Sequence, residues 1–254
     1  MTEPASLSGV PETMLQTVYA RAKESRGRGA IHDATAEQLI EKLHYDFFLA
    51  DKDTAMHSGV IARSIVLDRL TAAWLDRHPG AIVLNIACGL DTRCDRMQGY
   101  AHWYNLDLPE VIAVREKLLP EAGTVSQIAI SAMDDWGGAI AETDAPVLVI
   151  IEGLTMYLSE PEVKRIFEVI AGRFDRATVF VETMNPVMAK HFKEKIHRGQ
   201  PRQILLGHQK RKGLGPNPAG FPVCGGTQPD GGHGRLYPAL PRSRQNSGSP
   251  GDFQ

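Results

Sequence analysis

Between Ala81 and Arg93 the chain runs Ala-Ile-Val-Leu-Asn-Ile-Ala-Cys-Gly-Leu-Asp-Thr-Arg, an apolar-rich run that breaks into a small-residue turn and then an acidic one. No other stretch constrains the fold as strongly. Strands buried on both faces have continuous apolar character, and ligands in open α/β sheets sit where the carboxyl ends of such strands meet the next loop. The run predicts a buried parallel strand over residues 81–86, followed by a loop that is either a ligand site or a structural turn. Ala87, Cys88 and Gly89 keep side chains short enough for a ligand to approach the backbone. The lone Gly89 is not the dinucleotide fingerprint, which needs three glycines, and this disfavours a nicotinamide-dependent oxidoreductase.

From this strand onward, apolar runs alternate with helical patterns, as in crossover units on a parallel sheet. Further strands are expected near residues 101–106, 125–130, 146–152 and 177–183, with helices over 108–119 and 160–174. The second of these helices has a clear start: Ser159 as N-cap, Pro161 in the first turn and Glu162 completing a capping box. Upstream, residues 12–49 read as helical with a break at Ser25 to Ala30 and a new start signal at Asp33 to Thr35. Ile61, Ile65, Leu67, Leu70 and Trp74 recur at helical spacing over 60–75 until His78-Pro79-Gly80 stops them.

A chain of 254 residues with 43% hydrophobic content can bury one substantial core. The formal charge of −2 is unevenly spread: residues 199–254 hold seven Lys and Arg against two Asp and Glu, so this tail is +5 and the remainder −7. An acidic body gives no electrostatic footprint for nucleic acid. Cys88, Cys94 and Cys224 make neither a metal spacing nor an even disulfide framework, and the nine histidines form no metal pattern. With no signal-peptide pattern and no membrane-length apolar run, the expected location is the cytoplasm.

Several residues are candidates for chemistry. Asp107 follows the second strand, placed either to accept hydrogen bonds from ribose hydroxyls or to cap the helix that begins at Pro109. Ser131 to Trp136, after the third strand, borders an adenine ring or forms an ordinary acidic loop. Glu152 ends the apolar strand Val147 to Ile151, where a carboxylate needs a partner or ligand to offset desolvation. Arg63 interrupts an apolar helical face, as a bidentate carboxylate holder or as a solvated side chain packing its stem.

Taken together, Val83 to Arg93, Trp103-Tyr-Asn-Leu-Asp-Leu-Pro-Glu-Val111 and Ile151-Glu-Gly-Leu-Thr-Met-Tyr-Leu158 resemble the leucine carboxyl methyltransferase-like family, which includes polyketide O-methyltransferases of the tetracenomycin type. The resemblance runs from about Glu12 to about Lys195. It implies a Rossmann-like class I methyltransferase sheet under a helical N-terminal cap, with residues 1–78 as the cap and 79–195 as the S-adenosylmethionine-binding core. Carried over residue by residue, Arg63 would hold the methionine carboxylate, Ala87 and Gly89 would let the backbone approach the methionine part, and Asp107 would take the ribose hydroxyls. Ala132 and Met133 would line the adenine, and Glu152 would close the site near the amino group. Cys88 departs mildly from the family's usual Gly or Ala, and Ala132 stands where some members have Asp. The implied reaction is methyl transfer to a carboxyl or hydroxyl of a small molecule. A carboxylate acceptor needs no base, whereas a phenolic or enolic one would use His57 or Tyr157, between which no spacing argument selects.

The implied fold continues past Lys195 with two more strands, for which this chain offers no candidate. Residues 199–254 hold twelve of the 24 glycines and eight of the 16 prolines, a composition expected to be disordered. With suitable synonymous codons, the stretch after Lys195 can be re-read one nucleotide over as strand-like, family-like sequence, so a frame-shifted tail is expected. The alternative reading of the chain is accordingly a truncated, non-catalytic member of the same family.

Overall fold

The computed structural model describes residues 12–183 apart from 44, 46, 121–122 and 142–143. Expectations for the tail, including the absence of the last two strands and the disorder of 199–254, lie outside the described residues.

The run at Ala81 does become the central strand. β1 (Ala81–Ile86) is buried at all six positions because it is hydrogen-bonded on both edges and covered on both faces. β2 (Tyr100–Asp107), β3 (Val125–Ala129), β4 (Val147–Ile151) and β5 (Thr178–Val181) complete a fully parallel sheet in the order β3-β2-β1-β4-β5. Strands alternate with helices from β1 onward, and each strand lies within about two residues of its sequence-predicted bounds.

The side chains of β1 divide by period two between two apolar layers. Ile82, Leu84 and Ile86 join Val149, Ile151, Ile166 and Ile170 on the face covered by α7 (Glu160–Arg173). Ala81 and Val83 join Leu67, Trp74 and Trp103 on the face covered by α4 (Thr54–Leu75). Trp74 also donates from Nε1 to Thr178 Oγ1 at 3.1 Å, tying α4 to β5. A third cluster, with Leu15, Val18, Leu39, Leu90, Val111 and Val114, packs α1 (Glu12–Arg26) and α2 (Ala34–Lys42) against the loop after β1 and against α6 (Pro109–Leu118).

The expected helical stretch 12–49 is divided into α1, α2 and α3 (Phe48–Lys52). Gly29, at φ +72°, makes the first break, and Asp33 caps α2 by accepting from the Ala36 N–H at 2.9 Å. α4 begins at Thr54 rather than near Val60, because Asp53 accepts from the Met56 N–H and starts the helix before its apolar face does. A short α5 (Arg93–Arg96) follows the β1 loop.

The predicted start of α7 is present: the Glu162 carboxylate reaches back to both the N–H and the hydroxyl of Ser159, each at 2.7 Å. Glu162→Ala is expected to cost about 1 kcal/mol of stability without changing the fold, the usual worth of a helix cap. Denaturant unfolding followed by circular dichroism would measure it.

Candidate active site

The chain leaves β1 for β2 and β3 on one side and returns to β4 and β5 on the other, so β1 and β4 meet at a topological switch point. In open α/β sheets such a point, outside the carboxyl ends of the strands, is where ligands bind. There the backbone after β1 adopts left-handed conformations at Ala87 (φ 55°) and Gly89 (φ 49°), Ala87 being the one non-glycine in that region among the described residues. For Ala87 this costs about 1 kcal/mol, and its small side chain keeps the cost low.

Gly89 is fixed from three directions. Its N–H donates to Asp107 Oδ2 at 2.8 Å, its carbonyl accepts from Arg115 at 2.9 Å, and a Cβ added to it would lie 3.0 Å from Met14 Cγ and Sδ. The cap helix α1 therefore closes directly over the loop, and at φ +49° any side chain on residue 89 would be strained and would push Met14 aside. Asp107 also accepts from the Leu108 N–H at 2.8 Å, but Leu108 is itself the N-cap of α6 and no side chain caps that helix, so the helix-cap reading of Asp107 does not hold. Each of its carboxylate oxygens spends one lone pair on the backbone and keeps one. Burial raises the Asp107 pKa, against the lowering effect of the two N–H donors and Arg115.

At the end of β4, Glu152 sits between two arginines. Its Oε2 accepts from Arg93 at 2.8 Å, and its Oε1 lies 2.9 Å from Arg63 Nε. The second contact is a charge pair off the line of a hydrogen bond, leaving Arg63 Nε buried with no hydrogen-bond partner. Arg63 also lies 3.6 Å from Glu182, whose other oxygen accepts from the Gly153 N–H at 2.7 Å. Gly153, at φ +68°, makes the turn that brings these groups together; a Cβ there would lie 3.7 Å from Arg63. The phenol of Tyr157 lies within electrostatic reach of Arg63 and Glu182, and burial raises its pKa.

Beneath these strand ends lies a buried ionic network that the sequence reading did not single out. Arg93, only 1% exposed, donates to Asp68 at 2.6 Å, Asp91 at 2.7 Å and Glu152 at 2.8 Å. Arg96 donates to both oxygens of Asp68, and Asp33 accepts from Arg21 at 2.9 Å and from Thr92 at 2.6 Å. Burial alone would raise the Asp91 carboxyl, but Arg93, Arg96, Arg21 and Arg115 hold it well below the usual range. Burial likewise opposes ionisation of Asp33, and Arg21 and Arg96 overcome it to keep its pKa low.

The residues singled out from sequence therefore fall into three groups. Arg63 and Glu152 meet at the β4 end, and Gly89 and Asp107 are bonded to one another at the β1 and β2 ends. Ala87, Ala132 and Met133 pack against the same apolar layer, and Arg165 of α7 donates to the Met133 carbonyl at 3.1 Å. Trp136 belongs to the core instead: it is fully buried, and its Nε1 donates to the Ala132 carbonyl at 3.3 Å. His57 lies 3.4 Å from Glu24 on the cap, apart from the Arg63 pair. Among the described residues there is no cluster of three metal-ligating side chains, and no helix is long and apolar enough to cross a membrane.

An open parallel sheet with a tight loop at the switch point, a carboxylate closing β2 and an Arg and Glu pair closing β4 defines a Rossmann-like methyltransferase fold. Its likeness to a crystal structure from Thermobifida fusca YX described as a methyltransferase extends over 73% of this chain and 74% of that one, with a TM-score of 0.50 at 14% identity. The chain belongs to the leucine carboxyl methyltransferase family, whose family model matches residues 14–171. The tetracenomycin polyketide synthesis O-methyltransferase TcmP of Streptomyces glaucescens is 35% identical over 190 residues, covering 73% of this chain and 70% of TcmP. The S-adenosyl-L-methionine-dependent methyltransferase dpfgK of Gibberella zeae is 33% identical over 187 residues, covering 66% of this chain and 63% of that protein. The cofactor that the family resemblance implies is thus the one this second relative is named for.

Asp33 and Asp91 have pKa values depressed by folding, so each contributes stability that is present above the unfolded carboxylate value of about 3.9 and is lost as pH falls through the folded value. Unfolding free energy is expected to drop steeply below about pH 4. Asp33→Asn keeps a competent helix cap but leaves Arg21 short of a buried counter-ion; at pH 7 it should cost about 3–5 kcal/mol and flatten the acid limb. Urea titrations of both proteins at pH 7 and pH 3 would check this.

Proposed function

We propose that the chain is an S-adenosylmethionine-dependent O-methyltransferase that acts on a carboxyl or hydroxyl oxygen of a small molecule, with a polyketide-like acceptor suggested by the TcmP relative. In this reading residues 1–78 form the cap and 79–195 the cofactor-binding core. The observation that carries it is the Arg63 and Glu152 pair at the switch point, where a buried guanidinium nitrogen has no hydrogen-bond partner and faces a carboxylate. A zwitterionic amino acid fits such a pair, its carboxylate on Arg63 and its ammonium on Glu152.

The remaining residues fit the rest of the cofactor in sheet order. The short side chains of Ala87 and Gly89 let the loop backbone approach the methionine chain from the side not taken by Met14, Asp107 has lone pairs for the ribose hydroxyls, and Ala132 and Met133 offer an apolar wall for adenine. The charge also matches. Arg21, Arg63, Arg93 and Arg96 are faced by Asp33, Asp68, Asp91, Glu152 and Glu182, one negative charge in excess, against a cofactor of net charge +1.

When bound, S-adenosylmethionine supplies an activated methyl group on a sulfonium. The protein's part is then to hold the acceptor oxygen close and in line, which supplies much of the acceleration of such a displacement. Tyr157 is better placed for an acceptor than His57, which is paired with Glu24 on the cap. With its pKa raised by burial, the Tyr157 phenol is protonated near neutral pH and orients an acceptor by hydrogen bonding.

Calorimetric titration of S-adenosylmethionine tests the reading: the wild-type chain should bind, and Arg63→Ala and Asp107→Ala should each weaken binding by about 10- to 100-fold, the loss of a hydrogen bond to a charged group. Because burial raises the Asp107 pKa, its carboxylate is lost at higher pH than an exposed aspartate's. Affinity should therefore fall on acidification from above pH 4, and Asp107→Asn should bind weakly with a flatter pH profile. Absence of binding by the folded wild-type chain would overturn the reading.

A further inference from the structure

We infer that Arg93 is a positioning residue that fixes Glu152 as the receptor for the ligand's ammonium while leaving Arg63 able to exchange Glu152 for the ligand's carboxylate. The inference rests on the cofactor reading above. Glu152 has two oxygens and two arginine neighbours, but the contacts are unequal. Arg93 donates a hydrogen bond to Oε2 from a guanidinium that is itself locked on its other sides by Asp68 and Asp91. Arg63 approaches Oε1 only as a misaligned charge pair, with its Nε hydrogen unused.

The asymmetry has a consequence for binding. If both arginines gripped Glu152 equally, a ligand carboxylate arriving at Arg63 would have to break a complete hydrogen bond, and the freed Glu152 would be drawn aside. With Oε2 pinned by Arg93, Glu152 stays in place when Arg63 turns to the ligand, and Oε1 faces the incoming ammonium. Arg93 is suited to this task because three carboxylates from three elements, Asp68 on α4, Asp91 on the β1 loop and Glu152 at the β4 end, hold its planar fork in one orientation. A lysine there retains the charge but cannot serve three carboxylates in that fixed geometry.

The test compares two ligands that share the adenosine part and differ in the amino acid part: S-adenosylhomocysteine, which carries the ammonium and carboxylate, and 5′-methylthioadenosine, which carries neither. Affinities are measured calorimetrically for wild type, Arg93→Lys and Asp68→Asn. Asp68→Asn is the milder change, since Asp68 is partly exposed and loosens Arg93 without removing it. The expected result is a loss of about 10- to 100-fold for S-adenosylhomocysteine in Arg93→Lys, a smaller loss in Asp68→Asn, and under about 2-fold for 5′-methylthioadenosine in both. Equal losses for the two ligands would mean that Arg93 only maintains the fold, and no loss for either would mean that Glu152 needs no help; both overturn the inference. If Arg93→Lys does not fold, Asp68→Asn decides by the same comparison. Failure of wild type to bind S-adenosylhomocysteine would instead sink the cofactor reading.

Discussion

A guanidinium buried to 1% exposure in the middle of an apolar fold is tolerated only when its charge is answered on every side, and Arg93 sets this requirement for the region around it. Asp91 must leave the end of β1 at the right angle, and it does so with Asn85, the penultimate residue of the strand, donating to it at 3.0 Å. Asn85 in turn lies opposite Asn105 in the β1 and β2 register, and Trp103 donates to the Asn105 oxygen at 3.0 Å. The one polar row through the centre of the sheet is thus a support for the ion network above it. Asp68 brings α4 to the same point and Glu152 brings β4. A single buried cation therefore fixes the loop, the long helix and the fourth strand relative to one another.

The network continues outward into the cap. Asp68 is shared with Arg96, and Asp33 links Arg21 of α1, the N-terminus of α2 and Thr92 beside the loop. Apolar packing alone would hold α1 and α2 against α6 and Leu90, but it would leave their exact register soft. The directional bonds remove that freedom, and Met14 then packs against Gly89 so closely that a Cβ there would lie 3.0 Å from its side chain. A buried ionic cluster is weak evidence for stability, because apolar residues of equal volume often do as well. What it does supply is a single arrangement of the polar groups at the strand ends.

What was legible in the sequence follows from the range of the interaction involved. The strands were readable because burial on both faces leaves a continuous apolar run, and Glu152 stood out as a carboxylate closing such a run. Arg63 was visible as a charge on an apolar helix face. Asp33 was read only as a helix start, and Asp68, Arg93 and Arg96 drew no reading, because each meets partners distant in sequence and no local period reveals them. The β1 loop contained Asp91 and Arg93 in plain view, yet nothing local distinguishes a buried arginine from an exposed one at a helix start. Trp136 errs the other way: its acidic neighbours suggest a ligand loop, while the indole serves the core.

The sheet order also fixes the sequence of polar groups along the strand ends. Asp107 closes β2, the 131–136 loop follows β3, and Glu152 closes β4, so the polar groups at these strand ends run in sheet order toward β5. Beyond Glu152 on that side stand Tyr157 and Glu182, and Glu182 is the first residue after β5. It extends the strand's pairing, its N–H donating to the Ile151 carbonyl at 2.9 Å, while its carboxylate binds the Gly153 N–H and faces Arg63. The second counter-ion of Arg63 is therefore carried by the outermost strand of the described sheet. Any displacement of β5 along β4 moves Glu182 relative to Arg63, so the registry of this edge strand bears directly on the electrostatics at the strand ends.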